Sequence, residues 1–158
     1  MSIKRFVASK DNTITNAFKE NLLDRGETSN MGASDILEIF YISGSTTDSD
    51  GDSTLEKARI LMQFPINEIA SARSTGEIPE SGSVSFKLKV FNAAHGKTVP
   101  KNFKVAILPI TRQWNEGLGL DMENYSDIDA SNWVSASNQV LWTMPGGDYN
   151  ENIKYAKF

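Results

Sequence analysis

The sequence predicts an all-β fold: an antiparallel two-sheet sandwich with jelly-roll-like wiring and long connecting loops. Three observations predict it. Apolar and polar residues alternate with period two in several segments, helical spacing is poor, and the connections are rich in Ser, Gly, Asp and Asn. Connections of that length suit a chain that crosses between two sheets better than a plain meander.

Residues 1–8 read as an N-terminal arm and residues 151–158 as a C-terminal tail on a single domain spanning 1–158. After the arm, "NTITNAF" is a strand candidate, and "NAFKENLLDRG" a weakly helical excursion that stops at a glycine. "DILEIFYIS" is the next strand. In "KARILMQFPI", Ala58, Ile60, Met62 and Phe64 share one face against Arg59, Leu61 and Gln63. "INEIASAR", after Pro65, can form one or two helical turns with Ile66 and Ile69 inward. The clearest alternation is "GSVSFKLKVFN", where Val84, Phe86, Leu88 and Val90 oppose Ser85, Lys87 and Lys89. "NFKVAILPI" repeats it with Phe103, Val105 and Ile107, and Pro109 ends that strand or sets it on an edge. "NQVLWTM" is a short final strand. The expected core is therefore Ile60, Met62, Phe64, Val84, Phe86, Leu88, Val90, Phe103, Val105 and Ile107.

Composition narrows the function classes. The 158 residues, 39% hydrophobic and 23% charged, suffice for one domain with a substantial core. A net charge of -4 without a basic block does not favour nucleic acid. The absence of cysteine removes disulfides and thiolate zinc sites. No apolar run reaches membrane-spanning length, and the first residues lack an apolar stretch of signal-peptide length.

Chemical constellations are few. His95, the one histidine, sits in the turn-like "NAAHGKT" with no indicated nucleophile or acid partner. Its Gly96–Lys97–Thr98 lacks the upstream glycine of a phosphate loop. In "TTDSDGDSTLEK", aligning Gly51 as the sixth position of a calcium loop puts Thr46 first, Asp48 third, Asp50 fifth and Lys57 twelfth. A hydroxyl then replaces the first acid and a cation the bidentate glutamate, so a solvated loop around Asp48, Asp50 and Asp52 is expected instead. No carboxylate spacing favours catalysis, no cofactor motif is complete, and no metal site is expected. Asn124 fits a glycosylation acceptor without a secretory signal to give it meaning.

One region stands apart. From Gln113 to Ile153 there is no Lys or Arg, while acids recur and Trp114, Trp133 and Trp142 all fall inside it. Such a mixture makes either a sugar- or cation-binding face, with Trp133 the glycan contact, or a set of anchors that hold a long loop on the core. Anchoring is the stronger reading, because a loop of this length needs something to hold it.

The motifs occur in a recognisable order: "KDNTITNAF", "SNMGASDILEIFYI", "EKARILMQFPINEI", "VSFKLKVFN", "KVAILPITRQWNEG" and "WVSASNQVLWTMPGGDY". Over roughly residues 8–150 this resembles the DNRLRE-type (disaggregatase-related) β-sandwich domain, in the form found in tailed-phage virion proteins. The resemblance implies a Trp-x-Glu-Gly corner in which Trp114 packs under the sandwich and Glu116 caps backbone donors. It implies that Gly117 and Gly119 adopt angles closed to other residues, and that Trp142, Gly146, Gly147 and Asp148 close the same loop. The family pattern continues past the Gly-Gly-Asp segment, where this chain has only "YNENIKYAKF". That tail alternates, so Ile153, Tyr155 and Phe158 are expected in or beside an inter-subunit contact. The function implied is a non-catalytic structural subunit of a bacteriophage particle (neck, tail, fibre-base or capsid-attached), located in the virion. Its partners would be other virion proteins and further copies of itself, with no nucleic acid or membrane. The alternative is an adhesion module for a cell-surface glycan.

Overall fold

A computed structural model describes residues 3–44, 55–79, 82–96, 102–126 and 129–152. Among them the fold is β-rich and antiparallel, with a single helix. The strands are β1 (Lys10–Thr15), β2 (Phe40–Ile42), β3 (Glu56–Gln63), β4 (Ser135–Ser137) and β5 (Val140–Leu141); helix α1 spans Ile66–Ser74. They form two small sheets, β1-β3-β2 and β4-β5.

β3 is the centre of the larger sheet. It pairs with β1 along its length, Lys10 opposite Gln63 through Thr15 opposite Ala58, and with β2 at Glu56–Ala58. Ser9 N–H donates to the Gln63 carbonyl and continues the ladder. β3 then runs into Phe64 and Pro65, whose fixed φ opens α1 without a side-chain cap. The helix is marginal by itself and buries one residue, Ala72. Ile66 is 69% exposed, so it does not face inward as expected.

The register decides which face of the sheet is the core, and it is not the one expected. Asn12 lies opposite Leu61 and Ile14 opposite Arg59, so the core face of β3 carries Arg59 and Leu61. Ile14, Leu61, Trp114, Trp133, Ala136 and Trp142 form the buried cluster, with Ile110 and Val134 packed on it. Ile60 and Met62 lie on the other face, half-buried. Alternation defines two faces but does not say which is inside; a shift of one residue exchanges them. Here the inner face tolerates Arg59 because its guanidinium donates to the Gly146 carbonyl and lies over the rings of Trp133 and Tyr149.

The other correction is larger. None of the alternating residues expected from 84–91 and 103–107 reaches the core, and neither segment belongs to a strand among the described residues. Phe86 is 60% exposed, Val90 64% and Phe103 65%, with Leu88 exposed as well, while Val84, Val105 and Ile107 are half-buried. Alternation marks a segment that fits a strand but supplies no partner for it. The three indoles fill the space over the sheet instead. The "NAFKENLLDRG" excursion is not helical: it folds as turns closed by an isolated bridge between Phe18 and Arg25.

Candidate functional site

The Trp-x-Glu-Gly run sits at the centre of a buried polar hub. Asn12, Asn30, Ser131 and Asn132 are at most 1% exposed, which is expensive unless every polar atom is bonded. The hub meets that condition. Asn30 Nδ2 donates to the Glu116 carbonyl at 2.7 Å and the Ser131 carbonyl at 2.8 Å. Its Oδ1 accepts from Gly119 N–H at 2.8 Å and Gly32 N–H at 3.1 Å. All four bonds available to one amide are made. Asn12 Nδ2 donates to the carbonyl and hydroxyl of Ser131, and its Oδ1 accepts from Met31 N–H. Asn132 Oδ1 accepts from Val134 and Ser135 N–H and so shapes the turn into β4.

Glu116 is half-buried at the edge of this hub. Its Oε1 accepts from the Asp11 N–H at 2.6 Å, tying the corner to β1 across 105 residues of sequence. Burial first, and the charge of Glu116 second, push the Asp11 carboxyl above its ordinary range. Gly117 has φ +84°, a left-handed conformation that glycine adopts without strain. At Gly119 the reason is different from the one expected. Its φ is not in that region, but an added Cβ would stand 1.9 Å from the Asn30 carbonyl oxygen, so the close approach of two backbones requires glycine there.

The three tryptophans are buried, at 4% for Trp114 and Trp142 and 6% for Trp133. Trp142 Nε1 donates to the Asn132 carbonyl, so its polar handle is satisfied inside the hub. A sugar-stacking contact at Trp133 needs an open ring face, and this indole packs against the core, Arg59 and Gly146 instead.

The Gly-Gly-Asp segment closes on residues 109–112, which precede the corner, with an isolated bridge between Ile110 and Tyr149. Gly146 N–H donates to the Trp133 carbonyl, Thr111 N–H to the Asp148 carbonyl, and Asn150 N–H to the Pro109 carbonyl. Both Gly146 and Gly147 take positive φ in this turn. The Asp148 carboxylate accepts from Thr143 N–H at 2.8 Å, the Thr143 hydroxyl at 3.0 Å and Arg112 Nε at 2.6 Å. Burial alone would raise its pKa, but the bonds from Arg112, Thr143 and Met144 outweigh that and hold it below the ordinary carboxylate range.

Trp114, Glu116, Gly117, Trp142, Gly146, Gly147 and Asp148 therefore lie in one connected assembly of hydrogen bonds and packed rings. Ile153, Tyr155 and Phe158 lie outside the described residues, as does the Asp48–Asp50–Asp52 loop. Sequence reasoning assigned no role to Asn12, Ser131, Asn132 or Arg112; Arg59 was read only as facing away from the core, and Asn30 only as part of the "SNMG" motif. The signal for Asn30 was its Asn-x-Gly spacing to Gly32; the structure gives the reason for that glycine, since an added Cβ would stand 2.1 Å from the Glu116 carbonyl oxygen. Among the described residues, no group of three or more His, Asp or Glu could hold a metal ion. An open concavity lies elsewhere, between the N-terminal segment at Lys4 and Phe6 and α1 at Glu68 and Ser71 with its C-cap Thr75. No family model, no curated protein and no solved structure matches this chain.

Proposed function

We propose that this protein is a non-catalytic structural subunit of a bacteriophage particle, built on a DNRLRE-type two-sheet sandwich and working through protein–protein contacts. One observation carries the reading. The aromatic, acidic and glycine residues that could otherwise have formed a binding site are engaged in holding the 113–150 region on the sheet, through Glu116 to Asp11, Trp142 to Asn132 and Asp148 to Arg112. What is left open is apolar surface suited to protein contacts, including Phe86, Val90 and Phe103. The ordered motifs supply the link to virion proteins, and fold likeness alone would not give a function. The glycan-adhesion alternative loses its support from the tryptophans, because none of the three offers a ring face to solvent.

Mass spectrometry and immunogold microscopy of gradient-purified particles test this directly. The chain is expected at fixed stoichiometry on intact particles, at one location. Its presence only in the soluble lysate, with particles complete without it, would reject the proposal. Deleting residues 151–158 tests the tail: the truncated chain should fold but no longer join the particle if Ile153, Tyr155 and Phe158 form an interface.

A further inference from the structure

The charges of this chain are segregated, and the segregation coincides with its exposed apolar surface. Between Glu80 and Glu116 the sequence has no acidic residue, while Lys87, Lys89 and Lys104 interleave with Phe86, Val90 and Phe103. Those aromatic and aliphatic side chains are exposed, and Phe91, beneath the Lys89 ammonium, is 80% exposed. Phe86 is seated beside α1 through the guanidinium of Arg73.

A second patch has the opposite sign. The turn at 19–26 is clamped onto the segment at 121–126: Lys19 Nζ donates to the Glu123 carbonyl, Glu20 N–H to the Glu123 carboxylate, and Ser29 Oγ to the Met122 carbonyl. This lobe carries Glu20, Asp24, Asp121 and Glu123. Its two cations are turned to internal work: Lys19 on the Glu123 carbonyl, Arg25 on the Asn16 carbonyl and the Phe18 ring. Leu22 and Leu23 stand 75% and 82% exposed on it, and Leu118, shortly before the clamped segment in the chain, is 81% exposed. Leu22 also has φ +55°, a strained conformation that holds an apolar side chain at the tip of an acidic turn.

Two patches, each apolar and of opposite charge, are complementary to each other and not to themselves. A contact that joins two different patches on identical chains is heterologous, so it repeats head to tail and closes into a ring or runs on as a filament. Charge complementarity sets which faces meet, and the exposed side chains supply apolar area to bury. We propose that the basic, apolar segments 84–91 and 103–107 of one copy dock on the acidic, leucine-bearing lobe of the next, formed by 19–25 and 118–125. This contact stands on the two patches and not on the virion reading, so either can fail without the other.

Sedimentation velocity of the full chain over a broad concentration range, at low and high salt, gives the first measurement. The chain should associate at low salt and dissociate as salt screens the contact. Two charge reversals give the second: Lys87→Glu with Lys89→Glu in one variant, Glu20→Lys with Asp24→Lys in the other. These side chains are exposed; of the four, only Asp24 is seen to accept a side-chain bond, from Asn21. Each variant alone should associate more than about tenfold more weakly, since like charges then face each other. Mixed, they should recover association with the two variants alternating, because the intact basic patch of one meets the intact acidic lobe of the other and the two reversed surfaces also carry opposite charge. A monomeric wild type at low salt, or association unchanged in either variant, overturns the proposal. A mixture that stays unpaired overturns it also, provided circular dichroism shows both variants folded; if either is unfolded, the salt dependence of the wild type decides.

Discussion

The hub around Asn30 and the segment around Phe86 reverse the usual relation between polarity and burial. The hub is rich in Asn, Ser and Glu, yet four of its side chains are at most 1% exposed. The 84–91 segment has the cleanest apolar alternation in the chain, yet its Phe86 is 60% exposed. Burial follows from having partners. A buried amide with all four bonds made costs little, and a strand without a neighbour gains little from its apolar face. The region that sequence patterning marks most strongly is thus the one left open to other chains, and the tightest region is one that patterning alone would assign to loops.

Substitutions should reproduce that contrast. The largest effect is expected at the tryptophans: Trp114→Ala or Trp142→Ala should destabilise by about 3–5 kcal/mol in chemical denaturation, because each leaves a cavity in the cluster over β1 and β3. Phe86→Ala, a change of similar chemistry, should stay within about 0.5 kcal/mol in the monomer. Equal losses at the two sites would erase the comparison and place the 84–91 segment in the core after all.

Next in size is Asn30→Ala, which removes four hydrogen bonds, taking a partner from two N–H groups and from the Glu116 carbonyl, while the Ser131 carbonyl keeps its bond from Asn12. A loss of at least about 2 kcal/mol is expected, larger than for an exposed asparagine such as Asn21. Glu116→Gln keeps an acceptor for the Asp11 N–H but removes the charge, and should cost about 1–2 kcal/mol. It should also lower the Asp11 pKa by removing one of the two causes that raise it, which carboxyl NMR titration would read. An unchanged Asp11 titration would mean that burial alone sets its value.

The smallest expected effect is one of pH. The Asp148 carboxyl is held below its ordinary value of 3.8, so it binds its proton less readily folded than unfolded. Its contribution is therefore complete above the ordinary value and is lost as pH falls through the folded one. Melting of the wild type and of Asp148→Asn should differ at neutral pH and converge under acid. A gap that persists unchanged at low pH would assign Asp148 a purely steric role.

Parts of this were legible in advance. The strand at 56–63, the short helix after Pro65, and a corner at Trp114–Gly119 followed by a turn at Gly146–Asp148 each have a local cause: alternation, proline geometry or glycine placement. The family resemblance also implied that Glu116 would cap backbone donors at the corner. It did not reveal that the donor would be Asp11, because the two residues meet only when β1 lies beside the corner.

By itself, then, the sequence determined the β-rich class, the absence of disulfides and the segregation of charge, all of which are sums or patterns along the chain. The tertiary structure decided which face of β3 is inside, that Asn12, Asn30 and Asn132 are buried, and that 84–91 and 103–107 lie outside the strands among the described residues. The physical reason is the same in each case. Periodicity fixes which side chains share a face, but burial depends on whether another part of the chain arrives to cover that face and satisfy its polar groups.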